Sequence, residues 1–317
     1  IPFRTENVTD GICAPVEGAR RFGIELEFDI KSGVNERAAL RKIGQELQEA
    51  GLTRDSRQTG YHTARSTGWQ DWSFENDCTV AGELVSPILS DTPEHWEQIR
   101  KACEIITRNG GVATTRTGSH VHISSASFGM STAKHAEVLR TVGQNEDIVY
   151  RLASNPATGR HRGTQWCAPN VMTASAGDVD EEVAASHRVL GYHTDHGHAV
   201  NFEGSGSTRF ERNQIEYRMW DATLDPGVIQ QQIVLSAAIT DYAERNVIKN
   251  KGSKKPTEAP ETIGTHKAKE AAIPATVDAK EKAKQVNQKV AVFFDQLFRR
   301  SEDRAAAASL FAITNWQ

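Results

Sequence analysis

Four short segments of the sequence place ionisable side chains between apolar neighbours, in three of them as pairs two residues apart. Because successive side chains of a β-strand point to opposite faces, such segments predict strands with one polar and one apolar face. The polar positions are Glu25 and Glu27 in 22–28, Glu83 in 82–87, His120 and His122 in 119–123, and Glu216 and Arg218 in 214–220. If these strands belong to one sheet, acids, imidazoles and an arginine share one of its faces.

The carboxylates on this predicted face require a compensating positive charge. Glu25 and Glu27 would stand about 7 Å apart, from the rise per residue of a strand. Carboxylates about 5 Å apart repel by roughly 3 kcal/mol at an effective dielectric near 20. Oxygen ligands with one or two imidazoles favour Mg²⁺ or Mn²⁺, which use their remaining positions for phosphate and water. The residues therefore predict a divalent metal site that also receives a nucleotide phosphate.

Each motif taken alone is also typical of ordinary structure. An alternating Glu-x-Glu strand often faces solvent, and Glu216 with Arg218 is a common cross-strand ion-pair set. Two other functions stay open: a zinc hydrolase that uses His120, His122 and a carboxylate, and a non-catalytic module that binds a nucleotide or metabolite. The surplus of carboxylates and the absence of a HExxH sequence argue against zinc. The intact acids and Arg218 favour an enzyme.

The remaining sequence supplies helices that alternate with these strands. Apolar residues at helical spacing predict helices over 35–50, 92–109, 131–153 and 229–247. Alternating residues predict a first strand over 22–30 and an antiparallel hairpin formed by 198–203 and 214–220. The order of the elements predicts an α+β protein.

A stretch with many lysines after residue 248 predicts a linker. We therefore divide the chain into a catalytic domain over 1–248, a linker over 249–275 and a helical appendage over 276–317. The appendage contains predicted helices over 278–297 and 301–312. Its apolar side chains are expected to pack back on the domain; they are Val286, Val290, Phe293, Phe294 and Leu297.

The composition is that of an ordinary globular protein. Of the 317 residues, 38% are hydrophobic and 25% are charged, and the net charge of -4 gives no electrostatic reason to bind nucleic acid or an anionic membrane. No apolar run approaches the roughly 18 residues of a transmembrane helix. The four cysteines form no CxxC pair, which predicts free, buried or half-buried thiols in a reducing, cytoplasmic compartment.

The ordered motifs resemble the putative amidoligase family, whose relatives include glutamate–cysteine ligase and glutamine synthetase. The resemblance rests on Phe-Gly-Ile-Glu-Leu-Glu-Phe at 22–28, Gly-Glu-Leu-Val-Ser-Pro at 82–87, Gly-Ser-His-Val-His-Ile at 118–123 and Ile-Glu-Tyr-Arg at 215–218. It extends over residues 21–226, roughly two thirds of the chain. The family implies a curved antiparallel sheet of the glutamine-synthetase type, with helices on its apolar face and with ATP and Mg²⁺ on its concave face.

The resemblance also implies roles for individual residues. The metal ligands would be Glu25, Glu27, Asp77, Glu83, Glu216 and one or both of His120 and His122. Arg218 would contact the ATP phosphates, with His122 and Asn201 as further cofactor-binding residues. Arg160 and Arg162 lie in a loop where relatives carry an arginine before an aromatic–cysteine pair, here Trp166 and Cys167, and would bind the substrate carboxylate or the transferred phosphoryl group. Cys78 stands where the family usually has a glycine after Asp77.

The predicted function is an ATP- and Mg²⁺-dependent ligase that joins a carboxylate to an amine through an acyl phosphate. Its expected catalytic residues are Glu27 and Arg218, with Arg160 and Arg162. The carboxylate and amine substrates stay open among amino acids, peptides and peptide-like products, so that peptide modification is one expected role. No nucleic-acid or membrane partner is expected, and the sequence does not predict an oligomeric state.

Overall fold

An antiparallel sheet of seven strands forms the centre of the computed structural model, which describes residues 1–13, 20–129, 131–155, 158, 167, 170, 188–189, 192–193, 197–202, 213–250 and 279–314. The strands are β1 (Phe22–Ile30), β2 (Ser73–Glu75), β3 (Gly82–Val85), β4 (Gly111–Val112), β5 (Gly118–Ser124), β6 (Arg188–Val189), β7 (Tyr192–His193), β8 (Val200–Asn201) and β9 (Gln214–Asp221). The order in the sheet is β2-β3-β1-β5-β9-β8, β4 pairs with the end of β1, and β6 and β7 pair separately.

Helices pack around this sheet. They are α1 (Glu36–Glu49), α2 (Thr63–Ser66), α3 (Pro93–Arg108), α4 (Thr132–Gln144), α5 (Glu146–Ala153), α6 (Pro226–Lys249), α7 (Ala279–Leu297) and α8 (Ser301–Ile313). Side-chain hydrogen bonds attach α6 to β9. The Tyr217 and Thr240 hydroxyls are 2.8 Å apart, Trp220 Nε1 donates to Ser236 Oγ at 3.1 Å, and Gln232 Nε2 donates to the Asp221 carbonyl at 3.1 Å. The described helices and strands confirm the predicted α+β class.

β1 lies in the interior of the sheet, and its even-numbered residues from 22 to 28 are apolar. Phe22, Ile24, Leu26 and Phe28 are each at most 2% exposed and belong to the hydrophobic core. Phe22 stacks on Trp96 of α3 with the ring centroids 5.0 Å apart. This packing fixes which face of β1 is buried under the helices and leaves the odd-numbered acids on the other face.

The prediction of a single helix over 131–153 is wrong. The structure has two helices, α4 and α5, which meet at Asn145 with φ -120° and ψ 25°. Asn145 Nδ2 donates to the carbonyl of Thr141 at 2.9 Å. Asparagine side chains compete for backbone groups in this way, which favours a helix end over a helix interior. Apolar spacing continues across the break and therefore does not reveal it.

Several short elements were not predicted, including β2, β4, α2 and the β6–β7 pair. β2, β4 and α2 have three, two and four residues, too few to show a period in the sequence. β2 pairs with β3 and so forms one edge of the main sheet. The edge matters because it adds another acid to the polar face.

The two C-terminal helices pack on the rest of the protein, as predicted. Val290, Phe293, Phe294 and Leu297 of α7 are buried, and Val286 packs partly buried against the same core. The predicted linker over 249–275 lies, from 251 onward, outside the described residues, so the domain division stays a prediction. In the described part of the chain, no helix is long and apolar enough to cross a membrane.

Candidate active site

The strand register brings the predicted polar residues together on one sheet face. Directly paired residues of antiparallel strands point to the same side of the sheet. The pairs on the polar face are Glu75 with Glu83, Glu83 with Glu27, Glu25 with His120, His122 with Glu216, and Glu216 with Asn201. A continuous polar band therefore crosses the sheet from β2 to β8.

An irregularity in the pairing of β5 with β9 lies within this band. Between the pairs Ser119–Trp220 and Val121–Tyr217, β9 has one residue more than β5. Bulges of this kind are frequent beside active sites, where they redirect a side chain. In a regular strand Trp220 would share the face of Arg218. Because of the extra residue, the indole of Trp220 lies on the apolar side of the sheet and Arg218 stays on the polar side.

Glu25 lies between two imidazoles. Its two carboxylate oxygens are 2.8 Å from His120 Nδ1 and 3.0 Å from His122 Nε2. Burial opposes ionisation, but His122 and His120 hold the pKa of Glu25 well below its usual range. Burial likewise opposes charge on His122, yet Glu25 raises the pKa of this imidazole. Among the described residues, the buried His122 Nδ1 has no hydrogen-bond partner, and this leaves a nitrogen lone pair or an N–H group for a ligand.

Glu216 and Arg218 form a buried ion pair on the neighbouring strand. Arg218 Nη1 donates to Glu216 Oε1 at 2.5 Å, and Asn201 Nδ2 donates to Glu216 Oε2 at 2.7 Å. Burial would raise the pKa of Glu216, but Arg218 and the two histidines lower it to about 2. Glu216 is therefore an anion at neutral pH, and its pairing fixes the guanidinium of Arg218, which is only 4% exposed.

Glu83 has the least compensated charge on the polar face. It is 6% exposed, and within the described part of the chain it has no hydrogen bond or ion pair. Burial first, and then the neighbouring acids, raise the pKa of Glu83 well above its usual range; these acids are Glu25, Glu27, Asp77 and Glu75. A buried carboxylate among other carboxylates is a costly arrangement that a bound cation relieves.

Two overlapping groups of side chains have the spacing of metal ligands. One consists of Glu25, His122 and Glu216 and the other of Glu25, Glu83 and His120, with ligand atoms that all lie within 4.8 Å of one another in each group. Each group offers two carboxylates and one imidazole, a donor set dominated by oxygen that suits a hard divalent ion. Together with the uncompensated Glu83 and the unpartnered His122 Nδ1, this donor set fits a divalent cation.

An open cleft of about 890 Å³ lies over these groups. Its volume is within the range of sites for small molecules. Tyr61, Trp69 and Ile88 contribute apolar surface to the lining of the cleft, and Arg116 and Asp77 contribute charged groups. The polar face therefore opens into a space that admits a substrate.

A family model described as "putative amidoligase enzyme" matches residues 18–240, more than two thirds of the chain. The chain belongs to this amidoligase family. The match includes every strand of the main sheet and confirms the family resemblance of the sequence motifs. Membership indicates an enzyme that forms amide bonds. No curated protein matches the chain.

In this amidoligase the structure brings most of the predicted site residues to one cleft wall. They are Glu25, Glu27, Glu83, His120, His122, Asn201, Glu216 and Arg218. Asp77 also lines the cleft, but one of its oxygens stabilises a turn: Oδ1 accepts from Thr79 N at 2.6 Å, Thr79 Oγ1 at 2.5 Å and Val80 N at 3.2 Å. Among the described residues, Asp77 Oδ2 accepts no hydrogen bond, and this oxygen is therefore available to a ligand.

The predicted loop arginines are a different case. Arg160, Arg162 and Trp166 lie outside the described residues, so their roles stay predictions. Cys167 is buried, and its carbonyl accepts a hydrogen bond from the Tyr150 hydroxyl at 3.0 Å. Cys13 and Cys103 are buried as well, whereas Cys78 is exposed at the cleft and therefore departs from the expected buried or half-buried thiol.

Sequence reasoning missed Glu75, the acid that lies opposite Glu83. Glu75 is 1% exposed, and its Oε1 accepts from the backbone N–H of Ala64 at 2.6 Å. Ser73 and Glu75 do flank the buried Phe74 in a polar–apolar alternation, but three residues are too few to identify a strand. Arg116 was also missed, since a loop residue shows no periodicity.

Proposed function

We propose that this amidoligase uses ATP and Mg²⁺ to join a carboxylate to an amine through an acyl phosphate. The observation that carries the proposal is the pair of ligand groups that share Glu25, together with the uncompensated buried carboxylate of Glu83. In a family of amide-forming enzymes, a site for hard cations beside a buried arginine is the arrangement expected for phosphoryl transfer. The open antiparallel sheet with its ligands on one face also supports the glutamine-synthetase type of fold that we propose.

The proposed metal ligands are the members of the two overlapping ligand groups that share Glu25, and Glu27 is proposed as an additional ligand. They are Glu25, Glu27, Glu83, His120, His122 and Glu216. Mg²⁺, or Mn²⁺ in its place, supplies charge neutralisation for the triphosphate and for the carboxylates when bound. The role of the chain is to hold these oxygens on rigid neighbouring strands, so that little ordering remains for the moment of reaction.

Arg218 is the proposed stabiliser of the transferred phosphoryl group. Burial and the ion pair with Glu216 fix its guanidinium, and Glu216, Glu25 and Glu27 raise the pKa of Arg218 despite the burial. A preorganised positive group stabilises developing negative charge without reorganisation at the transition state. His122 and Asn201 line the same part of the cleft and are the proposed additional contacts to the nucleotide.

The proposed reaction has two steps. A substrate carboxylate oxygen attacks the γ-phosphorus of ATP, the bond to the bridging oxygen breaks, and ADP leaves. The amine nitrogen then attacks the acyl carbon, the carbon–oxygen bond to phosphate breaks, and the nitrogen gives its proton to an acidic side chain. Glu27 is our candidate for this acceptor as well as a proposed metal ligand, because it lies on the polar face but belongs to neither of the two ligand groups. Arg160 or Arg162 is the proposed contact for the substrate carboxylate.

The substrates that we propose are an amino acid or peptide carboxylate and an amine of similar kind. The cleft is open and about 890 Å³ in volume, which suits a nucleotide with a second small molecule or a peptide end. An ATP-dependent reaction and free thiols, one of them exposed, support the cytoplasmic location that we also propose.

The test is product formation from ATP. Purified protein is incubated with ATP, MgCl₂, a panel of amino acids and peptides, and hydroxylamine, a small amine that converts acyl phosphates into hydroxamates, which are detected as their coloured iron(III) complexes. We expect ADP, phosphate and hydroxamate in equal amounts, and loss of all three in Glu27→Gln and Arg218→Ala. The matched control is Glu104→Gln, because Glu104 is an exposed acid on α3 outside the cleft.

Two results would contradict the proposal. Tight ATP binding without turnover across the panel would indicate a binding module. Hydrolysis that needs Zn²⁺ and consumes no ATP would indicate the zinc enzyme.

A further inference from the structure

The turn before β5 is attached to β1 at two points. Thr114 Oγ1 donates to Asp29 Oδ2 at 2.6 Å, and the backbone N–H of Gly118 donates to Glu27 Oε2 at 2.6 Å. Both acceptors are acids on β1 at alternate positions, so they share the polar face with Glu25. The turn that contains Arg116 is therefore fixed directly beside the proposed metal ligands.

Asp29 is the third acid in the row on β1, and it differs from the first two. Its side chain is only 7% exposed and is satisfied by the protein itself. Besides Thr114, Asp29 Oδ1 accepts from Arg116 Nη2 at 2.7 Å and from the backbone N–H of Ala81 at 3.2 Å. With both oxygens occupied, Asp29 is suited to holding Arg116 in place.

Arg116 combines a fixed position with free donors. Its side chain is 64% exposed and lines the cleft, although Nη2 is bound to the buried Asp29. In the described part of the chain, its Nε and Nη1 groups meet no acceptor. Arginine presents its donors in a planar fork that matches the oxygens of phosphate, and a fork fixed in advance loses less freedom on binding. An ordinary exposed ion pair has no such buried acceptor.

The position of Arg116 is important because the cleft is lined by many acidic side chains. The lining contains Glu25, Glu27, Glu75, Glu83, Glu216 and Asp77. A triphosphate carries more negative charge than a substrate carboxylate, and cations must offset its repulsion by these acids. Arg218 is buried and paired with Glu216, whereas Arg116 keeps exposed donors.

We propose that Arg116, positioned by Asp29, binds a terminal phosphoryl group of the nucleotide, the β or the γ. The proposal rests on the proposed function and adds to Arg218 a second arginine that contacts phosphate, one outside the predicted set. Arg116 is a binding residue in this scheme, and Asp29 is a positioning residue that acts only through Arg116 and the turn.

The experiment compares the affinities of MgATP and AMP by calorimetry in four variants. Removing a charge-assisted contact to phosphate should weaken MgATP binding about 10- to 100-fold in Arg116→Ala. AMP, which lacks the terminal phosphates, should lose less than threefold. Arg116→Lys should recover part of the MgATP affinity, and Asp29→Asn should show an intermediate loss because the side chain keeps its shape but loses its charge.

Arg108→Ala is the matched control. Arg108 is 57% exposed and pairs with Glu46, but it does not line the cleft. Thermal unfolding of each variant checks that the fold is intact. If Arg116 has a purely structural role, its replacement lowers the affinities for MgATP and AMP by the same factor. If Arg116 binds a phosphoryl group, its replacement lowers the affinity for MgATP more than the affinity for AMP.

Three outcomes would overturn the inference. MgATP affinity in Arg116→Ala within twofold of Arg108→Ala excludes the contact. An unchanged MgATP affinity with a raised KM for the carboxylate substrate assigns Arg116 to that substrate instead. A wild-type protein that does not bind MgATP refutes the proposed function itself, which distinguishes that failure from the failure of Arg116 alone.

Discussion

Glu83 and Glu27 lie directly opposite each other on the neighbouring strands β3 and β1, with both carboxylates on the polar face of the sheet. Like charges in directly paired positions destabilise a sheet. Burial adds to this cost at Glu83, whose pKa is raised well above the usual range. This pair of acids destabilises the metal-free protein but favours the binding of a cation. Such a trade-off between stability and function is common at active sites.

Glu83→Gln should therefore stabilise the metal-free protein. The folded state holds the Glu83 proton more tightly than the unfolded chain does, so the wild type loses stability as the pH rises above about 4.5, the ordinary value for Glu. At neutral pH the variant should gain roughly 0.2–1 kcal/mol, the size of a like-charge pair across two strands. Chemical denaturation in EDTA measures the gain. A clear loss of stability would mean that the Glu83 carboxylate has a stabilising partner.

Glu25→Gln should remove more metal binding than any other single change, because both ligand groups contain Glu25. Saturating Mg²⁺ at about 100 times its Kd should stabilise the wild type by about 2.7 kcal/mol. We expect no such stabilisation in Glu25→Gln, a partial effect in Glu216→Gln, and the wild-type effect in Glu104→Gln. Denaturation with and without MgCl₂ measures these differences. Equal stabilisation of all four proteins would place the ion elsewhere.

The stability of the protein should fall in mild acid because of His135. This side chain packs between Phe128 and Phe202, with ring centroids 5.2 and 5.0 Å away, and burial lowers the pKa of His135. Below about pH 6.5 the unfolded chain takes up a proton that the folded protein does not, so the free energy of unfolding decreases until the folded pKa is reached.

The maximum slope from this one group is about 1.4 kcal/mol per pH unit. In His135→Gln the amide keeps a donor for the Ser131 carbonyl, which lies 2.8 Å from His135 Nδ1, but it does not titrate. Denaturation at several pH values should show a shallower acid slope in the variant. Identical slopes would show that His135 does not cause this dependence.

The C-terminal helices should contribute to global stability. Phe293 of α7 is 1% exposed in the core, whereas its neighbour Val292 is 58% exposed. Phe293→Ala should cost about 3–5 kcal/mol, and Val292→Ala should stay within about 0.5 kcal/mol. Denaturation should follow one transition if these helices and the sheet fold together. If the C-terminal helices instead unfold in a separate transition at lower denaturant concentration, and Phe293→Ala shifts only that transition, these helices form an independent unit.

Much of the candidate site was predictable because each motif is local. Glu25 with Glu27, and His120 with His122, follow the period of two that places alternate side chains of a strand on one face, and apolar neighbours identify the buried face. Helix starts were similarly local: Thr92 accepts from the backbone N–H of His95, and Pro93 follows it at the first helical position.

Other features depended on neighbours that are distant in the sequence. Asp29 follows the same alternation on β1 as Glu25 and Glu27 and lies on the same face. It nevertheless binds Arg116, which the turn before β5 places beside it. β2 is too short to show a period, so only its pairing with β3 reveals that Glu75 faces Glu83.

The sequence by itself determined which side chains share a face within each strand, because that alternation is a property of the extended backbone. Only the tertiary structure decided which strands are neighbours, in which register, and where a bulge turns Trp220 away from Arg218. Register and strand order follow from the hydrogen bonds and core packing of the whole sheet. These long-range interactions place Glu25 in both ligand groups and leave Glu83 without a compensating charge.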